Sequence, residues 1–124
     1  MIRPFLRAVL HNLTVTQADA AWPVSIRIDP LLLRAAEILP LEQVQVVNVA
    51  TGDRFTTFAE PAAEGSGEVR VHSGMRHPVR AGDTISVVSF GDLHDGQTLT
   101  HAAKIVTVDA RNGLVSLTEG RPGA

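Results

Sequence analysis

The sequence has no cysteine among its 124 residues, and this absence removes several kinds of chemistry at once. A disulfide framework, a thiolate nucleophile and a zinc-thiolate site are all excluded. A chain without cysteine fits a reducing compartment, so we expect the protein in the cytoplasm.

The sequence also has no large excess of charge of one sign and no long apolar run. Lys and Arg together number 11 against 13 Asp and Glu, and no basic run with interleaved aromatic residues occurs. No stretch approaches the ~20 apolar residues of a membrane span, and residues 1–10 are too short for a secretory signal. We therefore expect a soluble protein that binds neither nucleic acid nor membranes.

The residues that are present suit one small domain. With 44% hydrophobic and 19% charged residues, the chain can bury a core. We expect a single domain over residues 1–118, followed by a disordered tail at 119–124.

Alternation of apolar and polar residues predicts short strands along most of the chain. The expected strands cover residues 2–16, 25–29, 44–49, 54–59, 68–72, 85–90, 102–108 and 114–117. A turn or short helix is expected at 17–20, and an irregular polar segment at 91–100. This pattern indicates a mostly β barrel or sandwich with one or two short helices.

One helix is predicted directly after the strand that begins at Ser25. Asp29 is a suitable N-cap, and Pro30 suits the first helical position. Apolar residues then recur with helical spacing as far as Leu39, and Pro40 ends the pattern.

The stretch from Trp22 to Ile28 brings one serine to the start of a strand. Pro23 biases the residue before it towards an extended backbone. Ile26 and Ile28 then point to one face, while Ser25 points to the other with Arg27 and Asp29. Taken alone, this pattern favours a strand serine that faces solvent.

Several short motifs are spread along the chain. They are Met1-Ile2-Arg3, Leu10-His11, Thr14-Val15-Thr16-Gln17-Ala18-Asp19, Ser25, Arg54-Phe55-Thr56-Thr57, Gly82-Asp83 before an apolar strand, and Val108-Asp109 with Asn112. In these motifs the sequence resembles the L-aspartate α-decarboxylase family over almost its whole length. The resemblance implies a small double-psi β-barrel, a homotetramer with active sites between subunits, and a small-molecule substrate that bears a carboxylate.

The resemblance also implies a cofactor made from the chain itself. In that family a serine attacks the carbonyl of the preceding residue, and the chain is cleaved to leave a pyruvoyl group. Here the serine is Ser25 and the cleaved bond is Val24-Ser25, while Thr57 matches the threonine that holds the carbonyl during cleavage. A strand threonine with no further role is the alternative for Thr57.

The same resemblance assigns further pocket residues. Arg54 matches the arginine that binds the substrate carboxylate, a task that suits the planar guanidinium group. A hairpin-edge arginine is the alternative for Arg54. The other expected pocket residues are His11, Trp22, Phe58, Ser73, Gly74 and Met75. We predict no metal site, because the histidines lack paired ligand spacing.

Several positions depart from the family pattern. Val24 replaces a glycine, Val9 replaces a lysine, and Phe58 replaces a tyrosine that returns a proton after decarboxylation. His72 replaces an amide in the pocket, and we hypothesise that it supplies that proton instead.

Three functions therefore remain open. The first is a pyruvoyl-dependent decarboxylase that acts on aspartate or a related amino acid. The second is an uncleaved barrel that has been repurposed for a different reaction or binding role, for example in specialised metabolism. The third is a non-catalytic subunit or regulator.

Overall fold

The computed structural model describes residues 1–19, 24–74, 78–98 and 100–120. Over these ranges the chain forms strands, one α-helix and one short 3-10 helix. Their bounds are β1 (Ile2–Thr14), β2 (Gln17–Asp19), β3 (Ser25–Ile28), α1 (Pro30–Ala36), β4 (Gln43–Asn48), β5 (Arg54–Pro61), β6 (Val69–His72), β7 (Thr84–His94), the 3-10 helix (Asp95–Gln97), β8 (Ala103–Val108) and β9 (Leu114–Gly120).

The strands form one mixed sheet in the order β2-β6-β3-β5-β4-β7-β1-β8-β9. The pairs β1–β8, β2–β6 and β3–β5 are parallel, and the other pairs are antiparallel. The sheet surrounds one apolar cluster, and the fold is that of a small double-psi β-barrel. The prediction of a mostly β barrel is therefore confirmed.

The core follows the predicted alternation closely. Ile26 and Ile28 on β3 are fully buried, as are Val69 and Val71 on β6. Burying a side chain of this size contributes about 1.5–3 kcal/mol. The remaining large side chains with almost no exposure are Leu10, Leu13, Val15, Leu32, Val46, Ile85, Val87 and Val106.

Asp29 is the N-cap of α1, as predicted, and it also ties the end of β3 to a distant loop. Its carboxylate accepts hydrogen bonds from the backbone N–H groups of Leu31, Gly65 and Gly67, at 3.0, 3.2 and 3.1 Å. Burial alone raises the pKa of Asp29, but these three hydrogen bonds outweigh it and hold the pKa below its ordinary value. The strand that carries Ser25 is thereby fixed at its far end.

The helix ends earlier than its apolar spacing predicts. Glu37 takes a left-handed conformation with φ of 57°, so the helix stops at Ala36. The Arg7 guanidinium donates to the free carbonyl oxygens of Ala36 and Glu37, at 3.4 and 2.8 Å. Leu39, expected on the buried face of the helix, is instead 68% exposed.

Three segments differ from their predicted conformations because of the strands with which they pair. Residues 17–19 form a strand, β2, because they pair with β6, and no turn or helix forms there. β7 continues into the segment predicted to be irregular and ends at His94, because it pairs with the first residues of β1. β9 includes Glu119 and Gly120, which we expected in the tail, because they pair with β8. Residues 121–124 lie outside the described ranges.

Glu42 is held by a small polar cluster that links β1, β7 and the end of α1. Its carboxylate accepts hydrogen bonds from the Arg7 guanidinium and from the Ser89 hydroxyl, the latter at 2.7 Å. Burial raises the pKa of Glu42, but the hydrogen bonds from Ser89, the Leu39 N–H and Arg7 bring it below the ordinary 4.5. The folded state therefore favours the ionised carboxylate.

We expect this cluster to make the fold sensitive to acid. A carboxyl whose folded pKa is lowered stabilises the fold above its unfolded pKa, and this stabilisation is lost as pH falls through the folded pKa. Between about pH 6 and about pH 3, the free energy of unfolding should fall by about 1 kcal/mol less in Glu42→Gln than in the parent, as measured by urea denaturation. Asp29 still titrates in that variant, so part of the acid sensitivity should remain. If the free energy of unfolding fell equally in both proteins, Glu42 would not be a source of the acid sensitivity.

Candidate active site

The Val24-Ser25 bond lies at the start of β3, between β5 and β6. In the parallel register with β5, Ile26 is opposite Ala59. The same register, continued back by two residues, brings Val24 level with Thr57. On the other side, Ser25 is directly opposite His72 of β6.

Ser25 is buried, although it lies on the face of β3 opposite to the core residue Ile26. Only 6% of its surface is exposed, so the expectation of a solvent-facing serine is wrong. No hydrogen bond joins its hydroxyl to another described residue. The hydroxyl is therefore enclosed and not committed to a structural contact within that part of the chain.

Thr57 is the second buried hydroxyl at this site. It is 1% exposed, and its Oγ1 has no hydrogen-bond partner among the described residues. Neighbouring strands are about 4.8 Å apart, so a threonine level with Val24 is close to the backbone of that residue. A buried hydroxyl without a partner costs about 1–3 kcal/mol, which an ordinary strand threonine avoids.

The segment after β6 closes the site on the side of Val24. Gly74 has a φ of 71°, and a Cβ built on it would lie 4.0 Å from Cγ2 of Val24. Ser73 is buried, and its hydroxyl donates to the Gly74 carbonyl at 3.3 Å. Val24 itself is not among the residues with positive φ in the described ranges, so its backbone is not in the left-handed region.

His72 contacts the carboxylate of Asp19, a residue that we expected in a turn. Its Nδ1 lies 2.6 Å from Oδ1 of Asp19, and its side chain is 15% exposed. Arg70 lies 3.2 Å from Oδ2 of the same carboxylate, and the Nε of Arg70 is buried without a partner in the described ranges. The sequence carried no signal for this cluster, because it depends on the pairing of β2 with β6.

Phe58 lies near Ser25, and Arg54 does not. The side chains of β5 alternate, so Arg54 and Phe58 are exposed on one face while Thr57 is buried on the other. Continuing the β3–β5 register brings Phe58, 49% exposed, level with Ser25. Arg54 lies four residues earlier, about 13 Å away along the strand.

His11 is also separate from Ser25 within one copy of the chain. It is exposed on β1, which pairs with β7 and β8 and not with β3, β5 or β6. One copy of the chain therefore brings together Val24, Ser25, Thr57, Phe58, His72, Ser73 and Gly74, whereas Arg54 and His11 lie elsewhere. Trp22 and Met75 lie outside the described residues.

Within the described ranges, no three His, Asp or Glu side chains are grouped so that they could hold a metal ion. No helix in this part of the chain has the length and apolar character needed to cross a bilayer.

The chain matches a known protein family over most of its length. The family model described as aspartate decarboxylase matches residues 1–115. The match includes every residue of the site described above.

Proposed function

Because the chain belongs to the aspartate decarboxylase family, we propose that it cleaves its own Val24-Ser25 bond and then decarboxylates aspartate or a related amino acid. The observation that carries this proposal is the buried hydroxyl of Thr57, which is level with Val24 in the β3–β5 register and has no hydrogen-bond partner among the described residues. A hydroxyl in this position suits a donor that stabilises charge developing on the Val24 carbonyl oxygen.

The cleavage uses only groups of the chain and one water molecule. Ser25 Oγ attacks the carbonyl carbon of Val24, and the peptide C–N bond breaks to leave an ester and a free amine. Elimination across Cα and Cβ of Ser25 releases residues 1–24 with a C-terminal carboxylate. Water then displaces ammonia, and a pyruvoyl group remains at the start of residues 25–124.

The residues around Ser25 fit such a group. It would be covalently part of β3, level with Phe58 of β5 on one side and with His72 of β6 on the other. When formed, the pyruvoyl group withdraws electrons from a bound amine substrate and so eases the loss of carbon dioxide. The Phe58 ring excludes water, and His72 moves a proton at Nε2, the ring nitrogen that is not bonded to Asp19.

We further propose that a second copy of the chain completes the site. Arg54 has the chemistry to bind a substrate carboxylate, yet it lies about 13 Å along β5 from the level of Ser25. A homotetramer, in which the exposed face of β5 meets a neighbouring subunit, would supply Arg54 and His11 to the partner's Ser25. In the absence of cysteine, we place this assembly in the cytoplasm.

A second candidate function is favoured by the backbone at Val24. A β-branched residue outside the left-handed region lacks the strain that promotes cleavage. An uncleaved barrel would keep Ser25 as serine and would bind a carboxylate ligand without the pyruvoyl group. This form would serve a different reaction or a binding role.

Intact mass under denaturing conditions separates these candidates. Cleavage predicts fragments 1–24 and 25–124, the latter without the serine amine, and Ser25→Ala should remain at full length. A parent protein that shows only the full-length mass would overturn the pyruvoyl mechanism.

Carbon dioxide release from aspartate then tests the substrate and the role of Arg54. We expect Arg54→Ala to raise KM for aspartate at least about tenfold, because the carboxylate loses its bidentate partner. Arg80→Ala, another exposed arginine, is the matched control. Equal KM values for these two variants would remove Arg54 from the site.

A further inference from the structure

Three polar side chains lie in one row across the sheet, on the face opposite to the core. Ser25 on β3 is directly opposite His72 on β6, and His72 is directly opposite Asp19 on β2. The β3–β6 pair is antiparallel, and directly opposed residues of such a pair share one face with Cβ atoms about 4.5–5.5 Å apart. The β2–β6 pair is parallel, and the contact between Asp19 and His72 shows that these two side chains share that face as well. The row therefore places an imidazole next to a serine on one side and a carboxylate on the other. The carboxylate contacts the imidazole, whereas no hydrogen bond among the described residues joins His72 to the Ser25 hydroxyl.

The imidazole is oriented by its partners. An Nδ1–H that donates to Asp19 Oδ1 at 2.6 Å leaves Nε2 as the nitrogen that accepts a proton. The other carboxylate oxygen, Oδ2, faces the Arg70 guanidinium at 3.2 Å, so both oxygens of Asp19 are engaged. A carboxylate in this position holds the imidazole ring and stabilises the imidazolium that forms during proton transfer.

From this row we infer that Asp19 and His72 form a dyad that activates the Ser25 hydroxyl as a nucleophile. His72 Nε2 takes the Oγ proton as the bond from Oγ to carbon forms, and it returns the proton to the leaving amine. Asp19 is a positioning residue that acts through His72. The target of attack, the Val24 carbonyl, rests on the proposed function, but the activation is a property of the uncleaved chain.

The dyad offers a physical reason why cleavage can proceed with valine at position 24. Thr57 acts on the carbonyl side of the bond, whereas the dyad acts on the nucleophile side. General base catalysis of this kind accelerates a reaction about 10²–10⁴-fold. An activated nucleophile therefore substitutes for a strained backbone.

The first test is a time course of self-cleavage followed by intact mass. We expect His72→Gln to cleave about 100-fold more slowly than the parent, and Asp19→Asn about tenfold more slowly. His94→Gln and Asp92→Asn, exposed residues of β7, are the matched controls and should cleave like the parent.

The pH profile separates a base from a structural residue. The parent rate should fall at acidic pH, because a protonated imidazole cannot accept the Oγ proton, whereas His72→Gln should lack this dependence. Among the described residues, the charged groups on the strands around His72 are Asp19 on β2, Arg70 on β6, and Arg27 on β3, which pairs with Glu60 on β5 at 3.9 Å.

The second test uses a chain that still has its serine. A small alkyl fluorophosphonate should modify Ser25 of Thr57→Val, because the serine oxygen displaces fluoride at phosphorus while His72 takes the proton. The double variant His72→Gln/Thr57→Val should be modified at least about tenfold more slowly. Peptide mass spectrometry identifies the modified residue.

The two tests distinguish the inference from the function on which it rests. A parent that is never cleaved, together with labelling of Ser25 in Thr57→Val that depends on His72, would overturn the proposed function and support the dyad. Cleavage and labelling that are both unchanged by His72→Gln would overturn the dyad and leave self-cleavage standing.

Discussion

Thr57→Val should slow self-cleavage at Val24-Ser25 by about 100-fold or more, because it removes one donor to the charge that develops on the carbonyl oxygen. The same substitution should not weaken the fold. Thr57 Oγ1 is buried without a partner among the described residues, so replacing the hydroxyl by a methyl group should raise the free energy of unfolding by about 1 kcal/mol. A loss of function joined to a gain of stability is the signature we expect of a catalytic hydroxyl.

Thr56→Val is the matched control for this experiment. Thr56 directly precedes Thr57 on β5, but its side chain is exposed on the opposite face of the strand. Intact mass over time gives the cleavage rates, and urea denaturation of the uncleaved variants, with Ser25→Ala as the reference, gives the stabilities. Thr57→Val that cleaves as fast as Thr56→Val would remove the hydroxyl from the reaction, and a marked loss of stability would indicate a structural role.

Val24→Gly should accelerate self-cleavage at least about tenfold, because glycine enters strained backbone conformations that a β-branched residue avoids. Glycine also removes the two methyl groups beside the carbonyl that Ser25 attacks. The uncleaved fold should become less stable by roughly 1 kcal/mol, since the unfolded chain gains conformational freedom. Stability is best measured with Ser25→Ala also present, which prevents cleavage.

Val24→Ala separates the two causes, because it removes the branched side chain without giving the backbone the freedom of glycine. An intermediate rate would show that both crowding and backbone freedom contribute. If Val24→Gly and the parent cleave at the same rate, the residue before the serine does not limit the reaction. The second candidate function, an uncleaved barrel, would gain support if Val24→Gly were also never cleaved.

Local signals predicted most of the strands and the start of the helix. The alternation of Val69 with Val71, and of Ile26 with Ile28, follows from the period of two that a half-buried strand imposes. Asp29 and Pro30 mark the start of α1 because capping depends on residues next to each other in sequence. The end of α1 at Glu37 has no comparable local sequence signal, since apolar residues continue with helical spacing beyond it.

Less of the candidate site than of the fold was predicted from the sequence. Ser25, Thr57 and His72 were identified from the resemblance, but Ser25 was expected to face solvent when taken alone. Asp19 was assigned to a turn, and Gln17-Ala18-Asp19 contains no β-branched or aromatic residue that would favour a strand. Its strand exists only because β6 pairs with it, and tertiary pairing of this kind overrides local propensity.

By itself, then, the sequence determined the class of fold, the family and the bond at which chemistry is proposed. Those properties are carried by periodic burial and by motifs of adjacent residues. Only the tertiary structure decided that Thr57 has a buried hydroxyl level with Val24 and without a partner among the described residues, and that Asp19 and His72 lie in one row with Ser25. The reason is that the register between strands distant in the chain sets which side chains meet, and a shift of one residue would turn each of them to the other face.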